Sequence, residues 1–142
     1  MSTEIPTTLQ DHLDRAANDK LSAANYVDIA KAAHGAYRSY ASLLGNDSVP
    51  EWDKLNDAGK LRTINTVLLL LREVDATPET LHQEWMKRKQ ADGVEYGFVT
   101  QTLVGKDGVK KTNPYMVPFE QLPKEQRVKS EITHSIVRAL AR

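Results

Sequence analysis

The feature that most constrains this sequence is a break in helical periodicity between Gly93 and Phe119. On either side of the break, apolar residues recur at the three- and four-residue spacing of amphipathic helices. Within it, the β-rich run Phe98 to Val104 is followed by Gly105-Lys106-Asp107-Gly108 and then by Val109 to Thr112. Two such runs around an Asp-Gly turn predict a β-hairpin. We therefore expect a mainly α-helical fold with one small β-hairpin, in the α+β class.

Helix-start and helix-stop signals delimit five predicted helices. In chain order, these are a short helix ending near Lys20, a second from Ser22 to Leu44, a third capped by Asn56 or Asp57, a fourth from Thr77 and Pro78 to Ala91, and a fifth opened by Leu122-Pro123. Gly45 suits the left-handed position after the second helix.

Chain length and charge limit the class of protein. The 142 residues predict one domain over residues 22–142, preceded by an N-terminal extension or short helix over residues 1–21. Because 19 Lys and Arg balance 19 Asp and Glu, the net charge is zero. A neutral chain lacks a global attraction for nucleic acid or anionic lipid, so we expect no nucleic-acid polymer as partner.

The composition also bears on the cellular compartment. Since the chain has no Cys, disulfides and thiolate metal sites are excluded. The longest apolar run, Val67 to Leu71, is far shorter than the roughly 20 residues of a membrane span. Residues 1–10 lack the pattern of a secretory signal. We expect a cytoplasmic protein with no membrane association.

Four short motifs follow one another in the second half of the chain. They are His82-x-x-Trp85, Asp92-Gly93-Val94-Glu95-Tyr96-Gly97, Asn113-Pro114-Tyr115-Met116-Val117-Pro118-Phe119, and Gln121-Leu122-Pro123 before the last predicted helix. Their order resembles the RyR domain, the repeat first described in ryanodine receptors and also found in small bacterial and phage proteins. The chain departs from that family's pattern at three positions, where Val94 replaces a Trp, Asn113 a His and Phe119 a Tyr.

The resemblance extends upstream. The segment Ala33-His34-Gly35-Ala36-Tyr37-Arg38-Ser39-Tyr40 is similar to a His-Glu-x-x-Arg-x-Tyr helix of small phage and bacterial members, with Gly35 in place of Glu. Trp52 matches a Trp that those proteins carry before their third helix. Residues 77–141 are the most specific part of the resemblance. It implies a helical layer covered by the hairpin and by a Pro-rich extended strap.

The same resemblance implies a function. RyR-type domains are associated with adenine-nucleotide binding in receptors and with nucleotide-signal sensing in bacterial conflict systems. We therefore expect noncovalent binding of a small nucleotide-like ligand, to sense or to sequester it. In a phage, and then in the host cytoplasm, such binding would counter a nucleotide-based host defence.

Aromatic and amide side chains are the first candidates for ligand contacts. Trp85 and Tyr96 offer flat faces on which a base could stack. Alternatively, Trp85 belongs to the core and Tyr96 packs on its glycine-containing turn. Asn113 and Tyr115 lie at a segment stiffened by proline, from which an amide could read a base edge. The alternative for Asn113 is that it merely starts a turn.

Basic side chains are the second group of candidates. Arg38 could bind a phosphate with a forked pair of hydrogen bonds, and Arg62 is a weaker candidate for the same role. His34 and His82 complete the set. The alternatives are a surface ion pair for Arg38 and hydrogen-bonded structural roles for the histidines.

The sequence does not favour catalysis. It contains no nucleophile elbow and no glycine-rich phosphate-binding loop, and its four His residues lack the spacing of a helical zinc site. We expect a non-enzymatic protein that needs no metal or cofactor. His34 and His82 would be the general-base candidates if it acted on a nucleotide.

One alternative from another class stays open, namely a protein-interaction or structural module without a small-molecule ligand. A ligand site requires basic groups converging with aromatics in one concavity, whereas an interaction surface spreads them over a flat apolar patch. A homo-oligomer is compatible with either function.

Overall fold

The computed structural model describes residues 8–18 and 25–141. This part of the chain is mainly helical and carries one small three-stranded sheet, which confirms the expected fold class. The helices are α1 (Leu9–Asn18), α2 (Tyr26–Leu43), α3 (Asp57–Arg72), α4 (Pro78–Ala91) and α5 (Lys124–Leu140), and the strands are β1 (Val94–Tyr96), β2 (Gln101–Gly105) and β3 (Gly108–Asn113). Short 3-10 helices cover Trp52–Lys54 and Phe119–Gln121. None of the helices described is long and apolar enough to cross a membrane.

The chain divides into two compact units. The first unit comprises Met1–Asp75 together with Ile132–Arg142, and the second comprises Ala76–Glu131. The expectation of one domain over residues 22–142 stays a prediction.

Most helix starts follow the sequence signals. Asn56 caps α3 by accepting a hydrogen bond from the Gly59 N–H at 2.8 Å. Thr77 and Thr80 form a reciprocal capping box at the start of α4, with Pro78 in the first turn. Gly45 adopts φ +89° directly after α2, as predicted for a left-handed residue that ends a helix.

The start of α2 differs from the prediction. The helix begins at Tyr26, because the side chain of Asn25 accepts hydrogen bonds from the N–H groups of Val27 and Asp28 at 3.0 Å. Ser22, the predicted N-cap, lies outside the described residues. Asn and Ser cap helices about equally well, so local preference alone did not distinguish these two positions.

The core of the first unit lies on α2 and α3, which pack against each other and against α1. Its buried apolar residues are Val27, Ile29, Ala30, Ala33 and Ala41 on α2, Ile64, Val67 and Leu70 on α3, and Val137 on α5. The guanidinium of Arg138 donates to the Leu70 and Glu73 carbonyls at 2.6 and 3.0 Å. It thereby satisfies carbonyl groups at the C-terminal end of α3, which have no partner within the helix.

The sheet of the second unit has the strand order β1-β3-β2. Strands β2 and β3 form the predicted antiparallel hairpin, with Gly105 opposite Gly108 around the two-residue Lys106-Asp107 turn. Strand β1 pairs with β3 in parallel, placing Tyr96 opposite Asn113. This third strand was not predicted, because three residues are too few to show an alternating pattern.

The first hairpin strand begins at Gln101 rather than at Phe98, so this predicted boundary was wrong. The Thr112 hydroxyl donates to the Val99 carbonyl at 2.8 Å and ties the preceding segment to the buried Thr112 side chain. Gly97 lies so close to Thr112 that a Cβ on it would be 2.5 Å from the Thr112 Cβ. These contacts hold residues 97–99 beside Thr112, so that pairing in the ladder starts only at Gln101.

Candidate functional site

His34 is a buried side chain of α2. Its Nε2 lies 2.8 Å from the Pro50 carbonyl oxygen, and its ring meets Trp52 edge to face with centroids 5.9 Å apart. Because a carbonyl only accepts, Nε2 carries the hydrogen and donates. The contact fixes the segment that follows α2 against the helix, which is the hydrogen-bonded structural role considered as the alternative for His34.

Arg38 lies one helical turn after His34 and holds the same segment. Its Nε donates to the Val49 carbonyl at 3.1 Å, and its Nη2 lies 4.0 Å from Glu51 Oε1. The Arg38 side chain is 46% exposed and that of Glu51 63% exposed, so the ion pair is solvent-screened and weak. The Val49 hydrogen bond therefore sets the direction of the guanidinium on a side chain that stays accessible to solvent.

A polar cavity of about 290 Å³ adjoins Arg38 within the first unit. It is lined by Arg38, Ser39, Ser42, Asn46, Asp47 and Val49. The Ser42 hydroxyl donates to Asp47 Oδ1 at 2.6 Å, and Asn46 Oδ1 accepts from the Ser48 N–H at 3.0 Å. These bonds hold the turn after α2 in place. The Arg38 cavity, as we call it, thus has a wall fixed by hydrogen bonds.

The lining of the Arg38 cavity offers both donors and acceptors. One guanidinium and one carboxylate, from Arg38 and Asp47, give it no net formal charge. Hydroxyl groups of Ser39 and Ser42 donate and accept. Such a lining suits a ligand with an anionic group and hydroxyl groups, and it disfavours a densely charged polyanion.

His82 is the buried histidine of the second unit, on α4. Its Nε2 lies 2.7 Å from the Val117 carbonyl oxygen and therefore donates, as in His34. Its ring stacks on Trp85 with centroids 5.4 Å apart and 18° between the planes, and it also contacts Phe119. Lys89 Nζ lies 6.0 Å from the centroid of the Trp85 ring. Trp85 thus lies between two neighbours on its own helix and is partly buried.

Tyr96, Asn113 and Tyr115 lie together at the end of the sheet. Tyr96 is the direct partner of Asn113 in the β1–β3 register, and Asn113 Oδ1 accepts from the Tyr115 N–H at 2.8 Å. This bond is an Asx turn, the structural alternative considered for Asn113. Tyr96 is 55% exposed and its ring touches Phe98, which is 91% exposed. The pair is an apolar, solvent-facing group beside the sheet.

The structure thus distributes the predicted site residues over two units. His34 and Arg38 lie together in the first unit, and Arg62 is exposed on α3 of that unit. His82 and Trp85 form one cluster of the second unit, and Tyr96, Asn113 and Tyr115 form another. The assignment of ligand contacts to all eight stays a prediction.

The other residues that line the Arg38 cavity were not predicted as site residues from the sequence. Ser42 follows Arg38 at helical i, i+4 spacing, which places both on one face of α2. Asn46 and Asp47 lie in the turn that was recognised from its composition, and that turn folds back along the same helix. The sequence pattern that could have indicated the cavity is Arg38 with Ser42 four residues later on the helix, followed by the polar loop with Asn46 and Asp47.

Within the residues that the structure describes, no group of three or more His, Asp or Glu side chains is arranged to hold a metal ion. Comparison of the chain with protein-family models, with curated proteins and with solved structures gives no match. The resemblance to RyR domains therefore rests on the order of motifs alone.

Proposed function

We propose that the protein binds a small nucleotide-like ligand noncovalently, in order to sense or sequester it, and that the Arg38 cavity receives the phosphate-bearing part. The single observation that supports this is the position of Arg38. Arg38 lines a polar cavity of about 290 Å³ while its Nε is held by the Val49 carbonyl. The proposed function is binding without chemical conversion of the ligand.

The anchoring of Arg38 favours anion binding. With Nε donating to Val49, the two terminal nitrogens can donate side by side to two phosphate oxygens. A guanidinium that is already oriented loses less conformational entropy on binding than a free side chain. Glu51, at 4.0 Å, competes only weakly because both partners are largely exposed.

The carboxylate of Asp47 adds selectivity for a nucleotide over inorganic phosphate. Ser42 orients this carboxylate through its 2.6 Å hydrogen bond. A fixed carboxylate accepts hydrogen bonds from sugar hydroxyl groups and repels a bare polyphosphate. Arg38 and Asp47 together therefore match a ligand that carries phosphate and ribose hydroxyls.

The volume of the Arg38 cavity also limits the ligand. Pockets for small molecules span roughly 300 to 1,000 Å³. At about 290 Å³ the cavity lies at the lower end of that range. It suits the phosphate and sugar of a nucleotide, with the base at or beyond the rim. The proposed location of binding is the cytoplasm, or the host cytoplasm for a phage-encoded protein that counters a nucleotide-based defence.

The test is a thermal-shift and calorimetric screen against adenine nucleotides, NAD-derived cyclic molecules and cyclic di- and trinucleotides. A ligand at 100 times its dissociation constant stabilises the fold by about 2.7 kcal/mol, which such a screen detects. Arg38→Met keeps much of the apolar stem and removes the charge. We expect it to weaken binding about 10- to 100-fold, since a hydrogen bond to a charged group contributes about 1.5 to 3 kcal/mol.

Lys31→Met is the matched control. Lys31 is an exposed cation on the same helix and does not line the cavity. Its loss should leave affinity within about twofold, because exposed charges contribute little at physiological salt. Unchanged affinity of the folded Arg38→Met protein, or no ligand response from a protein that melts cooperatively, would contradict the proposal.

A second function, protein interaction, is favoured by one separate observation. Tyr96 and Phe98 are exposed with their rings in contact, and Val104 and Val109 are exposed and paired across the hairpin. Exposed apolar groups that lie side by side mark interaction surfaces more often than ligand pockets.

A further inference from the structure

We propose that strand β2 is a docking edge for a second copy of this chain, which adds its own β2 in antiparallel orientation. The proposed contact involves residues of the second unit only. It would join the two three-stranded sheets into one continuous sheet of six strands.

The first observation is that β2 is an open edge. Among residues 8–18 and 25–141, the strand order β1-β3-β2 leaves one side of β2 without a strand neighbour. All five of its residues, Gln101–Gly105, are exposed. An exposed edge presents main-chain N–H and C=O groups that pair readily with another strand.

The register shows which main-chain groups face outward. Gly105 and Gly108 flank the two-residue turn and form a hydrogen-bonded pair. Along an antiparallel pair, hydrogen-bonded and non-hydrogen-bonded positions alternate. Gln101 and Leu103 therefore bond to β3 like Gly105. The N–H and C=O groups of Thr102 and Val104 point away from β3, toward the open edge.

The second observation is that the edge lacks the usual protection against pairing. Edge strands of monomeric proteins commonly carry Lys, Pro or inward-pointing charges that prevent association. Residues 97–105 contain no charged residue and no proline. The cations Lys110 and Lys111 lie on the central strand β3 instead.

The pattern of outward-facing groups on β2 matches a second copy of the same strand. An antiparallel pair centred on Leu103 places Thr102 opposite Val104 of the other copy, so the two outward-facing positions of each strand meet as hydrogen-bonded pairs. About four main-chain hydrogen bonds result. Lys106 of one copy then lies opposite Thr100 of the other, so no like charges face each other. The strand is complementary to itself without any adjustment of register.

The charge pattern argues against a charged peptide as partner. A neutral edge gives no attraction for an acidic or basic segment, whereas it matches another neutral edge. The whole chain has zero net charge, so two copies do not repel each other at long range. Val104 and Val109 pair directly on one face of the sheet and are 80% and 60% exposed. In the joined sheet they would lie in its interior strands rather than at its margin.

Cysteine scanning tests both the association and its register. The chain has no native Cys, so each single variant carries one thiol. In the proposed pair, Leu103 faces Leu103 of the second copy at a non-hydrogen-bonded position, where Cβ atoms approach to roughly 5 Å. We expect Leu103→Cys to form a disulfide dimer at least tenfold faster than Thr102→Cys or Val104→Cys under the same oxidant. Equal rates at the three positions would overturn the proposal.

Sedimentation velocity over low-micromolar to millimolar concentrations supplies the independent readout. We expect the wild-type chain to shift toward dimer within this range, since a five-residue strand pair supports only modest affinity. Val104→Pro removes an outward N–H without removing a β2–β3 hydrogen bond, and it should stay monomeric. Val104→Thr keeps that N–H and should still dimerise. A wild-type protein that is monomeric at every concentration would overturn the proposal, whatever the behaviour of the variants.

Discussion

His82 and Trp85 stack ring over ring on α4, 18° from parallel, while His82 Nε2 donates to the Val117 carbonyl at 2.7 Å. The first unit repeats this construction, since His34 donates to the Pro50 carbonyl and touches Trp52. In each unit, a buried histidine ties a helix to a non-helical segment beside a tryptophan. Because Nε2 is engaged in both, a ligand contact by either ring would have to use Nδ1.

Replacing His82 should destabilise the second unit. His82→Ala removes both the ring stack and the hydrogen bond to Val117, and we expect a loss of about 2 to 4 kcal/mol in the free energy of unfolding. His82→Phe keeps a ring and loses the donor, so its loss should be smaller. Urea unfolding followed by tryptophan fluorescence and circular dichroism measures both.

The exposed neighbour Gln83 provides the control for His82. Gln83→Ala should change stability by less than about 0.5 kcal/mol. If His82→Ala were as stable as Gln83→Ala, the contacts to Trp85 and Val117 would not contribute to the fold.

Arg138 should contribute to stability through the end of α3. Its two terminal nitrogens reach the Leu70 and Glu73 carbonyls at once. Arg138→Met should lower the free energy of unfolding by about 1 to 3 kcal/mol, and Arg138→Lys should lie between because one ammonium matches that fork poorly. Arg72→Met, at an exposed position of the same helix end, should cost only a few tenths of a kcal/mol. Thermal and urea unfolding of the three variants distinguishes them, and equal losses for Arg138→Met and Arg72→Met would refute this role.

Gly97 should tolerate no side chain. In Gly97→Ala the new Cβ would lie 2.5 Å from the Thr112 Cβ, so the strand and the segment before it must move apart. We expect a loss of about 1 to 3 kcal/mol. Adding Thr112→Ala should not restore stability, because the Thr112 Cβ that causes the clash is retained.

Gly105 provides the control for Gly97, since a Cβ added at Gly105 would meet no atom within 4 Å. Gly105→Ala should be nearly neutral in a thermal melt. Backbone amide shifts of residues 94–113 should change in Gly97→Ala and stay close to wild type in Gly105→Ala. A Gly97→Ala protein with wild-type stability and spectrum would show that the approach to Thr112 is not restrictive.

Asn113 can be tested for its two candidate roles with one pair of variants. Asn113→Asp keeps the oxygen that accepts from the Tyr115 N–H and loses the amide donor, whereas Asn113→Ala loses both. We expect the Asn113→Asp protein to keep its stability and the Asn113→Ala protein to lose about 1 kcal/mol in the free energy of unfolding. If affinity for a ligand found in the screen falls in both variants, the amide nitrogen contacts that ligand. Unchanged affinity in both would leave Asn113 with the Asx turn alone.

The helix boundaries that the sequence predicted correctly are those set by local bonds. The Asn56 cap and the Thr77–Thr80 capping box act within four residues, so the pattern contains the whole interaction. Strand β1 escaped prediction because its partner, Lys111–Asn113, lies 17 residues further on in a parallel pairing. Nothing in the sequence of β1 itself encodes that choice.

In the candidate site, too, local properties could be predicted from the sequence and tertiary contacts could not. The chemistry of Arg38 made it a candidate for binding an anion, since that property depends on the residue type alone. The carbonyl partners of His34 and His82 lie 16 and 35 residues away and could not be read from spacing. The cavity beside Arg38 likewise exists because the turn at residues 46–49 folds back on α2, which is a tertiary arrangement.

The contact between Arg138 and Leu70 also has a consequence for synthesis on the ribosome. The two residues are 68 positions apart, with the whole second unit between them in the chain. At translation rates of about 5 to 20 residues per second, roughly 3 to 14 seconds separate their appearance. During that interval α2 and α3 exist without the segment that completes their unit. The nascent chain therefore spends several seconds as an unfinished helical layer, open to chaperones.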